Sequence, residues 1–200
     1  MTKFLLIRHA TTAAVGNRLT GRTAGVGLNE EGQAQARKLA ERLAGASITA
    51  LYSSPMERAQ ETAASIARAL NLETHTCEDF QELDFGHWTD RTFQDIAKDP
   101  QFQRFNSFRS STRIPGGELM LEAQTRMITG MAKLCTQHPQ GTIIIVSHSD
   151  MIKAAVAYYA GIHLDMFQRL EISPASISII EVYEETARVL QVNDTGELKV

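Results

Sequence analysis

The sequence predicts an α/β fold: a three-layer sandwich with a mostly parallel central sheet flanked by helices, and a small helical cap segment. Two observations predict it. Phe4-Leu5-Leu6-Ile7 and Ile143-Ile144-Ile145-Val146 are continuous apolar runs closed by polar residues, the pattern of strands covered on both faces. Between such runs lie stretches with helical apolar spacing, and strands alternating with helices build a parallel sheet. A chain of 200 residues, 43% hydrophobic, is large enough to bury one core. A single domain over 1–200 is expected, with the cap segment at about 93–113.

The elements follow in order. The first strand covers about 3–7. Residues 10–28 carry Gly16, Gly21, Gly25 and Gly27 and read as a loop. Asn29 is placed to cap a helix whose first turn holds Glu30 and Glu31, where acidic groups suit the helix dipole. Ala36, Leu39, Ala40 and Leu43 then form one buried stripe. Residues 49–52 make a second strand. Ser54-Pro55-Met56-Glu57 reads as a capping box with Ser54 at the N-cap, opening a helix with Arg58 in its first turn. Residues 73–76 suit a third strand. The 93–113 segment holds Phe102, Phe105 and Phe108 with Arg104, Arg109 and Arg113; its aromatics would seat it on the body, leaving an open or mobile rim. Pro115-Gly116-Gly117 ends it. A long helix to Gln137 follows, with Met120, Ala123, Met127, Met131 and Leu134 facing the core, stopped before Pro139. The Ile143 strand, a helix over 150–159 and two closing strands at 176–183 and 187–192, joined by a turn at 184–186, complete the chain.

The net charge of −3 argues against a general nucleic-acid or membrane binder, so any attraction for an anion must come from a few clustered arginines. Cys77 and Cys135 make no disulfide framework, which points to a reducing compartment. Met1-Thr2-Lys3 leads at once into the first strand, and no apolar run approaches the ~20 residues of a membrane helix. A cytoplasmic protein is expected.

Both apolar strands end in histidine, as Arg8-His9 and Ser147-His148. Ligand groups in open α/β sheets gather at the carboxyl ends of strands, so these residues are aimed at one crevice. That arrangement suits an anionic substrate and a nucleophilic imidazole. Other chemistries find no support. There is no Gly-x-x-x-x-Gly-Lys loop, and Gly25-Val26-Gly27 lacks the third glycine and preceding strand of a dinucleotide site. No His-Glu-x-x-His, Cys-x-x-Cys or Gly-x-Ser-x-Gly occurs, so neither metal nor cofactor is expected.

Five blocks occur in order: Arg8-His9-Ala10-Thr11-Thr12, Ser53-Ser54-Pro55-Met56-Glu57-Arg58-Ala59, Glu82-Leu83-Asp84-Phe85-Gly86-His87-Trp88, Pro115-Gly116-Gly117-Glu118 and Ser147-His148-Ser149-Asp150. With the tail Gln191-Val192-Asn193-Asp194-Thr195, they resemble the histidine phosphatase superfamily, the phosphoglycerate-mutase-like phosphatases, across nearly the whole chain. The resemblance implies that His9 is the nucleophile, forming a phosphohistidine. Arg8, Arg58 and His148 would hold phosphoryl oxygens, and Glu82 would be the acid for the leaving alcohol, then the base for water. Nearby guanidinium groups would keep His9 neutral, and a nearby phosphate dianion would raise the Glu82 pKa. The implied partner is a small phosphorylated substrate; on oligomeric state the sequence is silent.

The chain departs from the family pattern at three places. Ala10 stands where the family usually has glycine. Val15 stands where many members place an asparagine that binds phosphate, for which Asn17 or Thr20 is the candidate replacement. Ser149-Asp150 follows the second histidine in place of Gly-Gly. Asp150 would cap the next helix or bring negative charge to the pocket. His75, His87, His138 and His163 fit no motif, and Trp88 reads as packing. Besides a phosphomonoester hydrolase, two readings stay open: a phosphoglycerate mutase, and a non-catalytic member that binds a phosphorylated ligand.

Overall fold

The computed structural model describes residues 1–196; residues 197–200 of the expected 1–200 domain lie outside that range. Six strands form one mixed sheet in the order β3-β2-β4-β1-β5-β6. They are β1 (Thr2–Arg8), β2 (Ala50–Ser53), β3 (Thr74–Thr76), β4 (Thr142–Ser147), β5 (Ile177–Val182) and β6 (Ala187–Asp194). Strands β1 to β4 are mutually parallel; β5 runs antiparallel to β1, and β6 to β5. The α/β prediction with a mostly parallel sheet therefore holds.

The continuous apolar runs are explained by two separate cores, one on each face of the sheet. Leu5 and Ile7 of β1 and Ile144 and Val146 of β4 pack with Leu39, Leu43, Ala59 and Ile66. Those partners come from α1 (Glu30–Leu43) and α2 (Glu57–Leu70). The alternate residues Phe4, Leu6, Ile143 and Ile145 pack with Met127, Met131, Ile152 and Val156 on the other face. Those belong to α5 (Met120–Gln137) and α6 (Ser149–Ala160), which follow two short cap helices, α3 (Phe93–Ile96) and α4 (Pro100–Ser107). Side chains alternate across a strand, so a run buried on both faces has no polar position. Among the described residues, no helix is long and apolar enough to cross a membrane.

Asn29 caps α1 as expected, its side chain accepting from Gly32 N at 2.8 Å. The capping box at Ser54 does not form. Helix α2 begins at Glu57 after Met56, without a side-chain cap. Ser54 turns instead to His148, and the acids of α2 reach the 10–28 loop: Glu57 accepts from Gly25 N at 2.8 Å and Glu61 from Leu28 N at 2.9 Å.

Aromatic contacts anchor the cap segment on the body, as its phenylalanines lead one to expect. Phe105 is fully buried, and the buried Trp88 meets Phe102 edge-on at 5.2 Å between ring centres. The Trp88 Nε1 donates to Asp99 at 3.0 Å. Phe108, expected to help seat the segment, is 54% exposed.

Candidate active site

Register brings the two histidines together. Arg8 pairs with Ser147 across the parallel β1/β4 ladder, and His9 N donates to Ser147 O at 2.9 Å. On the far side of β4, Ser54 N donates to Val146 O at 2.9 Å. Three neighbouring strands thus deliver His9, His148 and Ser54 side by side. The rings of His9 and His148 lie 5.2 Å apart, edge to face. Glu82 arrives on the segment after the 3-10 turn Glu78–Phe80, which is tied to the end of β4 by Ser147 Oγ donating to Phe80 O at 2.7 Å.

Hydrogen bonds fix the tautomer of each imidazole. His9 Nδ1 donates to Ala10 O at 2.7 Å, and Arg58 Nε donates to His9 Nε2 at 3.3 Å, so Nε2 carries the lone pair. His148 is held the other way round. Ser54 Oγ accepts from Met56 N at 3.3 Å and lies 2.8 Å from His148 Nε2. That set is satisfied when Ser54 donates to Nε2 and the His148 proton sits on Nδ1. Nδ1 is buried, has no hydrogen-bond partner among the described residues, and lies 3.5 Å from Glu82 Oε2.

Burial pulls the pKa values of both histidines well below the ordinary imidazole value, and the charges of Arg58 and Arg8 lower them further. Burial, with the Asp150 charge adding to it, pushes Glu82 up to about 7; Arg58 opposes the rise. The shift needs no bound phosphate. Glu82 Oε1 accepts from Leu83 N at 2.9 Å, and Oε2 lies 3.9 Å from Arg58 Nη2. Arg58 Nη2 also donates to Gly21 O at 2.8 Å, and Arg8 Nη1 to Ile172 O at 2.6 Å. Arg58 Nη1 and Arg8 Nε are buried with no hydrogen-bond partner among the described residues.

These groups adjoin a cavity of about 440 Å³. Arg8, His9 and Glu82 line it, as do Thr20, Arg18, Phe93, Phe102, Asn106, Arg109, Ser149, Asp150 and Gln168. Arg58 and His148 are buried beside it and are not part of its lining. Of the candidate replacements for the missing asparagine, Thr20 lies on the wall. Asn17 does not: it is exposed, and its backbone accepts from Phe93 N at 2.9 Å to brace the loop against the cap. Ala10 is fully buried and outside the left-handed region, so this turn does not require glycine. Asp150 does not cap α6. It sits in the first turn and accepts from Arg109 Nη1 at 2.9 Å.

The sequence reading missed several supporting residues. Arg22 Nε donates to Glu82 O at 2.9 Å, while Arg126 donates to Gln81 O at 3.0 Å and pairs with Glu118. Only Glu118 carried a signal, through the Pro-Gly-Gly-Glu block; isolated arginines on a loop and a helix carry none.

The family model of the histidine phosphatase superfamily (branch 1) matches residues 4–195. The chain belongs to the histidine phosphatase superfamily. A bifunctional protein of Mycobacterium tuberculosis is 34% identical over 200 residues, which are 98% of this chain and 55% of that protein. The chain therefore spans about half the length of that relative. Phosphoserine phosphatase 1 of Hydrogenobacter thermophilus is 30% identical over 99% of this chain and 95% of its own. A phosphoserine phosphatase mutant from Entamoeba histolytica, solved in complex with phosphoserine, superposes with a TM-score of 0.89 at 26% identity, covering 98% of each chain.

Proposed function

We propose that this histidine phosphatase superfamily member is a phosphomonoester hydrolase that acts on small phosphorylated metabolites through a phosphohistidine at His9. The observation that carries the reading is the pairing of a neutral His9, whose unprotonated Nε2 carries a lone pair held only by a long 3.3 Å contact from Arg58, with a carboxyl at Glu82 whose pKa of about 7 suits proton donation. The names of the phosphoserine phosphatase relatives point the same way.

In the first step His9 Nε2 attacks phosphorus, the bond from phosphorus to the ester oxygen breaks, and Glu82 gives its proton to that oxygen. In the second, Glu82 takes a proton from water, the water oxygen attacks phosphorus, and the bond to Nε2 breaks. Alcohol and inorganic phosphate leave, and Glu82 regains its proton. Arg8, Arg58 and the His148 Nδ1 proton stabilise the phosphoryl oxygens, with Thr20 at the wall; these fixed donors supply the positive charge a metal would otherwise bring.

The test is to quench turnover without acid and map the phosphate. It is expected on the His9 peptide, labile in acid and stable in base. His9→Ala should abolish both label and turnover, and a chelator should leave wild-type turnover unchanged. Near wild-type hydrolysis by His9→Ala overturns the nucleophile. Interconversion of 3- and 2-phosphoglycerate faster than the best hydrolysis replaces the hydrolase reading with the mutase one.

A further inference from the structure

The outer part of the cavity, beyond the histidines, is where the body of an ester must lie. The cations that line it are Arg8, Arg18 and Arg109. Arg8 stands beside His9 at the end of β1 and serves the phosphoryl group. Arg18 is exposed at the rim and pairs with Asp90 at 3.8 Å, a contact that water screens. Arg109 is different. It is 4% exposed, its guanidinium lies 4.4 Å from the ring centres of both Phe105 and Phe167, and Nη1 donates to Asp150 at 2.9 Å. Its Nη2 donates to Asn106 Oδ1 at 2.8 Å. The inner cation is thus fixed and neutralised, and the carboxylate that neutralises it is itself part of the wall. Lys153 lies off the wall, its Nζ engaged by Gln168 Oε1 at 3.4 Å.

We propose that the Arg109–Asp150 pair makes this site select phosphate esters with an uncharged, hydroxyl-bearing body and reject esters that carry a carboxylate near the phosphate. A substrate carboxylate entering the chamber meets the Asp150 charge, while Arg109 is already paired, Arg8 is committed to the phosphoryl group and Arg18 is exposed, where water screens it; in a partly buried site the repulsion from Asp150 is poorly screened. A hydroxylated body finds partners instead. Asp150 accepts hydrogen bonds and the Ser149 hydroxyl donates and accepts; the Asn106 oxygen is taken by Arg109 and by Gln168 Nε2 at 3.2 Å, which leaves the Asn106 amide nitrogen as a donor, and Phe93 and Phe102 add apolar wall. The proposal rests on the hydrolase reading and adds the substrate class.

Glycerol 3-phosphate and 3-phosphoglycerate differ only in a CH₂OH for a carboxylate, and both release a primary alcohol. The ratio of their kcat/KM values therefore isolates the body of the ester. Wild type should favour glycerol 3-phosphate at least tenfold, and ribose 5-phosphate should exceed phosphoserine likewise. Asp150→Asn removes the negative charge and leaves Arg109 an uncompensated cation, even where the asparagine oxygen still accepts from Nη1, and should move the ratio at least tenfold toward 3-phosphoglycerate. Its effect on Glu82 acts on both esters alike and cancels in the ratio. Should Asp150→Asn not fold, the wild-type ratios decide. Equal or faster hydrolysis of the carboxylate esters overturns the proposal and leaves the hydrolase intact. A shift below threefold in folded Asp150→Asn removes the pair from specificity. No hydrolysis of any of the four esters, with no label on His9, overturns the hydrolase reading itself.

Discussion

His9 meets the cavity through Nε2 because Ala10 O holds its Nδ1 proton, and His148 does the reverse because Ser54 faces its Nε2. Opposite tautomers place a lone pair on one ring and a proton on the other, the arrangement the proposed phosphoryl transfer needs. Ser54→Ala removes the group that fixes the second. A kcat loss of roughly tenfold is expected, the equivalent of one hydrogen bond worth about 1.4 kcal/mol, with KM little changed. Nitrogen chemical shifts should show the His148 proton redistributing, and Ser54→Thr should restore both. Unaltered shifts and unaltered kcat in the alanine variant would remove Ser54 from the mechanism. Glu82 is the proton carrier in the proposed mechanism. A pKa near 7 keeps it protonated where an ordinary glutamic acid is ionised, so kcat/KM for alkyl phosphates should fall as pH rises through about 7. Glu82→Gln should lose that limb of the profile and roughly 10²–10⁴-fold of alkyl ester turnover. Nitrophenyl phosphate, whose leaving group needs no proton, should suffer far less. Equal losses for both esters would send the acid role to another group.

The loop after β1 is positioned by α1. Asn29 N donates to Thr11 O at 3.2 Å and Thr11 N donates to Gln35 Oε1 at 2.9 Å, so the helix start and the residues just after His9 are one unit. Gly32 lies against Thr11, and a Cβ there would overlap the Thr11 carbonyl. Glycine to alanine inside a helix ordinarily stabilises by up to about 1 kcal/mol. Here the sign should invert: Gly32→Ala should lose ~1–3 kcal/mol to overpacking and lower kcat by displacing Ala10, the anchor of His9. Thermal melts and turnover check this; a stabilised, fully active variant would show that α1 does not hold the loop. At this scale the sequence was read well where a local rule acted alone, as with Asn29 and the stripe of α1. It was misread where a tertiary partner outbid the rule. Ser54 had every local mark of an N-cap, and Asp150 suited one; His148 and Arg109 claimed them.

The sheet and its two faces were legible because burial on both sides leaves a period-two signature that splits cleanly between Leu5 and Leu6, or Ile144 and Ile145. The inner site was legible through its motifs. The outer cavity was not: it is assembled from the loop before Gly21, the cap helices, the start of α6 and Gln168, which share no periodicity and meet only in the folded chain. The sheet order has a consequence for how such a chain leaves the ribosome. Strand β1 emerges first, yet both of its neighbours, β4 and β5, are made more than a hundred residues later. At ~5–20 residues per second, the apolar strand that leads into His9 waits several seconds or more for a mate. Unpaired strands of this kind are aggregation hazards, so the need for a chaperone is strongest while β1 waits, and His9 and His148 are not brought together until β4 has docked.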